Sequence, residues 1–210
     1  MQLMKPNITD KSEKDTKKTS LSDPKLKEEI ARALEIVRKG GIILYPTDTV
    51  WGIGCDATNT KAVERVYEIK KRQDSKALIT LVNSEAMLER YVEEVPEVAY
   101  QLMEAAVRPL TIVYDKGINL SPKLLADDGS IGIRVSNEEF SNGLVKAMRK
   151  PLVSTSANIS GEPTPASFGD ISAEIRDAVD YVVDYGRTRN GSVPSNVIKL
   201  SASGEVKIIR

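Results

Sequence analysis

The sequence predicts an α/β (α+β) fold in which helices flank a twisted mixed sheet. Short apolar runs such as residues 41–45 and 110–114 alternate with segments of helical periodicity such as 60–69. The last part of the chain is rich in strand-like runs, YVVDY, NVIKL and EVKIIR, separated by turn sequences. A chain of 210 residues has the length of a single domain of ordinary size.

The first elements are defined by their boundary residues. Residues 1–22 are rich in Lys, Asp, Ser and Thr, which predicts a disordered N-terminal arm before a folded domain at 23–210. Asp23 as N-cap and Pro24 at the first helical position begin a helix that ends at the glycines 40–41. A buried strand follows, and then a polar loop.

The remaining elements alternate along the chain. They are a helix from residue 60, a strand at 77–82, helices at 84–91 and 96–107, strands at 110–114 and 130–135, a helix at 137–149, a strand at 151–155, a helix near 170–178 and the three C-terminal strands.

Composition excludes several classes of function. Lys plus Arg and Asp plus Glu both number 30, so attraction for anions must come from local clusters. Histidine is absent, which excludes Ser-His and Cys-His nucleophiles. The single cysteine, Cys55, excludes an intrachain disulfide and a cysteine-rich zinc site. No secretory or membrane-spanning segment is present, so we expect a cytoplasmic protein without a membrane partner. We also expect no metal site formed by the protein's own side chains.

Four loops have one chemical character. The strand at 41–45 ends in Thr47, Asp48 and Thr49, and the strings SIGIR, STSAN and PSNV supply a guanidinium, hydroxyls and amides at the ends of other predicted strands. Lys and Arg cluster at 70–76. Singly, each string also fits a turn or a solvated helix end. Together they predict one cavity for an anionic, polar ligand.

Five strings in order resemble the YrdC-like family of threonylcarbamoyl-adenylate synthases. They are YPTDTVWGIGCDA, Lys70-Lys71-Arg72, SIGIRV, STSANISGEPT and PSNV, and the resemblance runs from about residue 30 to 210. It implies the YrdC-like fold in its short single-domain form, with an open, positively lined cavity.

The resemblance also implies a reaction. Family members join L-threonine, bicarbonate or CO2, and ATP into L-threonylcarbamoyl-adenylate and release pyrophosphate. ATP is a substrate and carries Mg²⁺ on its phosphates. The product passes to a separate threonylcarbamoyl-transfer complex that modifies the adenosine beside the tRNA anticodon.

Matching positions give the expected site. Thr49, Arg134 and Ser195 would hold threonine, and Lys70 and Arg72 would neutralise charge in catalysis. The expected ATP residues are Arg72, Lys76, Ser130, Ser154, Ser156, Asn158, Thr164 and Arg210. The chain departs from the family in having Lys76 where Asn is usual and Leu81 where His is usual.

Two alternatives stay open. The hydrogenase-maturation carbamoyltransferases share this fold and also form a carbamoyl-adenylate, but they carry zinc-finger segments that need cysteines. A non-catalytic module that binds double-stranded RNA or tRNA would use the cavity as a platform, although balanced charge and only 5% aromatic residues argue against it.

Overall fold

The computed structural model describes residues 23–71, 78–188 and 194–210. The arm expected at 1–22 and the expected site residues Arg72 and Lys76 lie outside the described residues. Within these ranges the fold is a mixed sheet with helices packed on it, in agreement with the predicted class.

The strands have these bounds: β1 Ile43–Tyr45, β2 Gly52–Gly54, β3 Ile79–Val82, β4 Leu110–Tyr114, β5 Ile131–Val135, β6 Leu152–Ser156, β7 Tyr181–Val182, β8 Asn196–Leu200 and β9 Val206–Ile208. Their order in the sheet is β7-β1-β2-β6-β3-β5-β4-β8-β9. Three neighbouring pairs are parallel, β1 with β7, β3 with β5, and β4 with β8, and the other five are antiparallel.

The α-helices have these bounds: α1 Pro24–Arg38, α2 Thr60–Ile69, α3 Glu85–Leu88, α4 Glu97–Ala105, α5 Glu139–Met148 and α6 Ala173–Ala178. Short 3-10 helices cover Pro122–Leu124 and Phe168–Asp170. None of the helices within the described ranges is long and apolar enough to cross a lipid bilayer.

Helix α1 confirms the predicted boundary signals. The carboxylate of Asp23 accepts a hydrogen bond from the Lys25 amide at 2.9 Å, and this satisfies one of the unpaired donors at the helix start. Leu26, Ala33 and Val37 bury the apolar face of the helix, which packs on α5 and β1. The chain then leaves the helix at Gly40, whose φ of +83° favours glycine.

Strand β2 lies within the segment that the sequence assigns to a polar loop. Glycine is depleted in strands, so a segment that contains Gly52 and Gly54 does not predict a strand. A Cβ on Gly54 would lie 2.2 Å from the Val153 carbonyl oxygen and 2.7 Å from Tyr45 Cε1. The close approach of β1, β2 and β6 therefore requires glycine at position 54. The same residue lowers the strand propensity of this segment, which is why the sequence does not predict the strand.

The register of the central strands places three of the predicted site residues on one face of the sheet. Ser154 of β6 lies opposite Ile79 of β3, and Leu81 of β3 lies opposite Arg134 of β5. Cross-strand partners and residues two apart in a strand share one face of a sheet. Arg134, Ser154 and Ser156 therefore project from the same face, within strands rather than from the loops at strand ends.

Candidate functional site

Most of the predicted site residues meet in one small cavity of about 240 Å³. Seven of them line it: Thr49, Arg134, Ser154, Ser156, Thr164, Ser195 and Arg210. Gly52 also lines it, and a Cβ at this position would lie 3.4 Å from Ser154 Oγ, so the glycine keeps space open. Residues from the β1–β2 loop to the C-terminal segment thus lie around one space.

The small cavity has a buried end and an exposed end. Thr49, Arg134 and Ser195, the residues expected to hold threonine, are buried. Thr164 and Arg210, which are expected to contact ATP, are exposed. A ligand would therefore be enclosed at the Arg134 end and open to solvent near Arg210.

The turn between β1 and β2 is folded by Thr47. Its hydroxyl accepts a hydrogen bond from the Thr49 amide at 3.0 Å and donates to the Val50 carbonyl at 2.6 Å. Such hydroxyl-to-backbone bonds favour turns. This turn brings Asp48 and Thr49 to Arg134, whose Nη2 lies 3.4 Å from Thr49 Oγ1.

Arg134 and Asp48 form an ion pair at the buried end. Arg134 Nη2 lies 2.9 Å from Asp48 Oδ1, and the two side chains are only 3% and 17% exposed. Burial lowers the pKa of Arg134, and the charge of Asp48 opposes this shift. Burial raises the pKa of Asp48, Arg134 lowers it, and Glu138 raises it further. Arginine nevertheless keeps its charge in proteins, so the cavity holds a buried cation.

Ser195 and Arg210 are held by neighbouring groups. The Ser195 hydroxyl lies 2.9 Å from the Thr111 hydroxyl of β4. The Arg210 guanidinium donates to the Ser195 carbonyl from Nε at 3.3 Å and from Nη2 at 3.2 Å. The described lining carries two arginines and no acidic side chain, so this cavity suits a carboxylate or a phosphate.

Three predicted site residues do not line this cavity. Lys70 is only 2% exposed, and its ammonium donates to the carbonyls of Ser156 at 2.5 Å and Asn158 at 2.7 Å. The Asn158 amide donates to the Glu162 carbonyl. Ser130 lies in a turn in which its amide donates to an Asp128 carboxylate oxygen. Lys70 and Asn158 thus shape the loop that follows β6.

A larger cavity of about 1270 Å³ adjoins the small one, and both are lined by Thr49 and Val50. The sequence predicts a single cavity, whereas the structure has two neighbouring cavities here. The described lining of the larger one includes the carboxylates of Asp48, Glu85, Glu104 and Glu138 and the guanidinium of Arg108. Trp51, which the sequence leaves between pocket wall and core, lines this cavity and packs on Phe168 with ring centroids 4.9 Å apart.

Asp48 is the residue whose position the sequence did not resolve. It stands in the YPTDT string, but a carboxylate in a turn is ordinary, and only the structure places it against Arg134.

Within the described ranges, no three His, Cys, Asp or Glu side chains come close enough to hold a metal ion.

Comparison with known proteins gives one family. The profile of the Sua5/YciO/YrdC family, described as telomere recombination, matches residues 35–210. A protein named threonylcarbamoyl-AMP synthase from Pseudoalteromonas translucida is 33% identical over 180 residues, which cover 84% of this chain and 95% of that protein.

Solved structures agree with this assignment. Escherichia coli YciO superposes with a TM-score of 0.77 at 29% identity and covers 90% of each chain. Pyrococcus abyssi Sua5, solved in complex with L-threonine, superposes with a TM-score of 0.73 at 29% identity over 81% of this chain and 50% of that one.

Proposed function

Because the chain belongs to the Sua5/YciO/YrdC family, we propose that it synthesises L-threonylcarbamoyl-adenylate from L-threonine, bicarbonate or CO2, and ATP, with release of pyrophosphate. The observation that carries the proposal is the small cavity, where a buried arginine and several hydroxyls surround a space of about 240 Å³. Cavities that enclose whole drug-sized ligands measure about 300–1,000 Å³. The buried part therefore suits an amino acid, and the nucleotide extends beyond it.

Threonine is assigned to the buried end. The guanidinium of Arg134 takes the carboxylate, because its fork of donors matches two carboxylate oxygens. Thr49 and Ser195 line the same end and supply hydroxyls. The apolar residues Leu78 and Ile79 of the lining face the aliphatic part of the substrate.

ATP is assigned to the exposed end of the same cavity. The exposed Thr164 offers a hydroxyl and Arg210 offers a cation there, while the buried Ser154 and the half-buried Ser156 add hydroxyls from the rest of the same lining. Of the remaining expected ATP contacts, Arg72 and Lys76 lie outside the described residues, and Ser130 and Asn158 are away from this cavity. Lys70 acts indirectly, because its ammonium fixes the carbonyls of Ser156 and Asn158. Mg²⁺ enters on the ATP phosphates as part of the substrate.

The proposed chemistry needs positioning and charge neutralisation rather than a protein nucleophile. The threonine amine attacks CO2 or bicarbonate, and a carbamate oxygen then attacks the α-phosphorus in line with pyrophosphate as leaving group. Arginine side chains stabilise the charge that develops on the phosphate oxygens. The absence of histidine from the chain is compatible with this route.

The proposal is tested by incubating the protein with ATP, bicarbonate and a panel of amino acids. We expect mass spectrometry to detect threonylcarbamoyl-adenylate and pyrophosphate release to depend on both threonine and bicarbonate. Arg134→Lys removes the two-pronged contact and should raise the KM for threonine about tenfold or more. The exposed Arg149→Lys is the matched control and should leave it unchanged. Absence of any threonine-dependent product would refute the proposal.

The product would serve tRNA modification in the cytoplasm and pass to a separate threonylcarbamoyl-transfer complex. A protein that binds double-stranded RNA or tRNA without turnover is the contrasting outcome of the same experiment. Tight binding of RNA with no release of pyrophosphate would favour that binding module over the synthase.

A further inference from the structure

Asp48 and Arg134 stand between the two cavities. Asp48 lines the larger cavity, Arg134 lines the smaller one, and Thr49 lines both. The 2.9 Å contact between Arg134 Nη2 and Asp48 Oδ1 therefore crosses the wall that separates the two spaces. A ligand that reaches Arg134 lies within one side-chain length of the Asp48 carboxylate.

This ion pair is incompletely satisfied. Its geometry does not meet that of a hydrogen bond, and neither Asp48 Oδ1 nor Arg134 Nε has a hydrogen-bond partner among the residues described. Buried charged groups are stable only when partners satisfy them. Arg134 thus retains bonding capacity at the place assigned to the amino acid, and Asp48 retains it in the adjoining wall.

An α-amino acid is a zwitterion, with a carboxylate and an ammonium on the same carbon. A buried cation beside a half-buried anion is complementary to such a ligand, because each of its charges meets an opposite one. On the basis of the proposed function, we propose that the Asp48 carboxylate binds the α-ammonium of the threonine substrate and accepts a proton from it. On binding, the ion pair between Asp48 and Arg134 is replaced by two, one between Arg134 and the ligand carboxylate and one between Asp48 and the ligand ammonium.

The proton transfer balances as follows. The ammonium gives one proton to Asp48, and the freed nitrogen lone pair forms the N–C bond with bicarbonate. Hydroxide leaves the bicarbonate carbon with a second amine proton as water, and the carbamate anion remains. The carbamate oxygen then forms a bond to the α-phosphorus as the bond to pyrophosphate breaks. Asp48 returns its proton to solvent before the next turnover.

The surroundings of Asp48 favour this role. Burial raises the pKa of its carboxyl, Arg134 opposes the shift, and Glu138 adds to it. A base with a raised pKa accepts a proton more readily than an ordinary aspartate.

Glu138 is the carboxylate of the larger cavity that also acts on the pKa of Asp48, and it is already used in the structure. Its Oε2 accepts hydrogen bonds of 2.8 Å from both the amide and the hydroxyl of Ser141 and caps the start of α5. Asp48 has no such cap to maintain.

The test compares two ligands and two variants by calorimetry. The ligands are L-threonine and its α-hydroxy analogue, in which a hydroxyl replaces the amino group. The wild-type protein should bind threonine at least about tenfold more tightly, since the analogue offers no cation to the half-buried Asp48 carboxylate. Asp48→Asn should bring the two affinities within about twofold of each other, and the exposed Asp127→Asn should keep the wild-type ratio.

The outcomes separate this inference from the proposed function. If the wild-type protein binds threonine and Asp48→Asn keeps the tenfold ratio, Asp48 does not hold the ammonium. If the wild-type protein does not bind threonine, the proposed function fails first. The wild-type ratio alone also decides: equal binding of both ligands overturns the inference even when the variant does not fold.

A rate measurement tests the proton transfer. The loss of kcat/KM in Asp48→Asn should shrink as the pH rises towards the pKa of the free amine, because the substrate then needs no base. A loss that is constant with pH would leave Asp48 without a role as base.

Discussion

Gly54→Ala should be among the most destabilising single-methyl additions in this protein. The new Cβ would lie 2.2 Å from the Val153 carbonyl oxygen and 2.7 Å from Tyr45 Cε1. Ordinary contact would need a movement of roughly 1 Å. Backbone cannot yield as a flexible side chain can, so β2 and β6 must separate.

The structure sets the size of the effect. Overpacking of a well-packed core costs about 1–3 kcal/mol. Displacement of Val153 also weakens the 2.9 Å hydrogen bond from the Tyr45 hydroxyl to its carbonyl, worth about 1 kcal/mol. We therefore expect the free energy of unfolding to fall by about 3 kcal/mol, which corresponds to a Tm lower by about 6–12 °C for a chain of this size.

Gly132→Ala is the matched control. Gly132 is also a buried strand glycine, but the nearest atom to a new Cβ there is Thr111 Cγ2 at 3.6 Å, an ordinary contact. This substitution should change stability by less than about 1 kcal/mol. Urea denaturation of both variants measures the difference. Equal destabilisation, or a stable Gly54→Ala, would contradict the close approach of β2 to β6.

Two further substitutions test the contacts that hold the site and the sheet. Lys70→Met should lower the free energy of unfolding by about 2 kcal/mol, because the carbonyls of Ser156 and Asn158 lose their charged donor. Thermal unfolding measures this loss of stability, and an unchanged Tm would contradict the prediction. Hydrogen bonds from Arg65 hold the pKa of Asp180 below its ordinary value, so this stabilisation is present at neutral pH and is lost as the pH falls through the lowered pKa of the folded state. Asp180→Asn should therefore cost about 1 kcal/mol at pH 7 in urea titrations, and progressively less as the pH falls below the ordinary pKa of an aspartate. A cost independent of pH would exclude the charge as its cause.

Local signals predicted the helices better than the strands. The Asp23 cap and Gly40 fixed both ends of α1 because capping chemistry acts within a few residues. Strand β2 was missed because Gly52 and Gly54 serve the packing of neighbouring strands, which are distant in sequence. The run at 181–185 was predicted as a strand, but the structure pairs only Tyr181–Val182 with β1.

The site was predicted as a set of residues, without their orientation. Thr49, Arg134 and Ser195 line one cavity, and their role in binding threonine stays a prediction. Lys70 belongs to the same motif as Arg72, yet its side chain turns inward to backbone carbonyls. The motif could not predict this, because it does not show on which side of the helix end a lysine lies. The contact of Asp48 with Arg134 depends on sheet register and could not be read from the sequence.

The spread of the small cavity's lining along the chain ties ligand affinity to cooperative folding. Thr49 comes from the first hairpin and Ser195 from the segment before β8, so no contiguous half of the polypeptide contains a binding-competent cavity. A ligand that binds only this assembled state shifts the unfolding equilibrium of the whole sheet, by about 2.7 kcal/mol at a concentration one hundred times its Kd. Protection from proteolysis by substrate should thus extend to strands that touch no ligand atom.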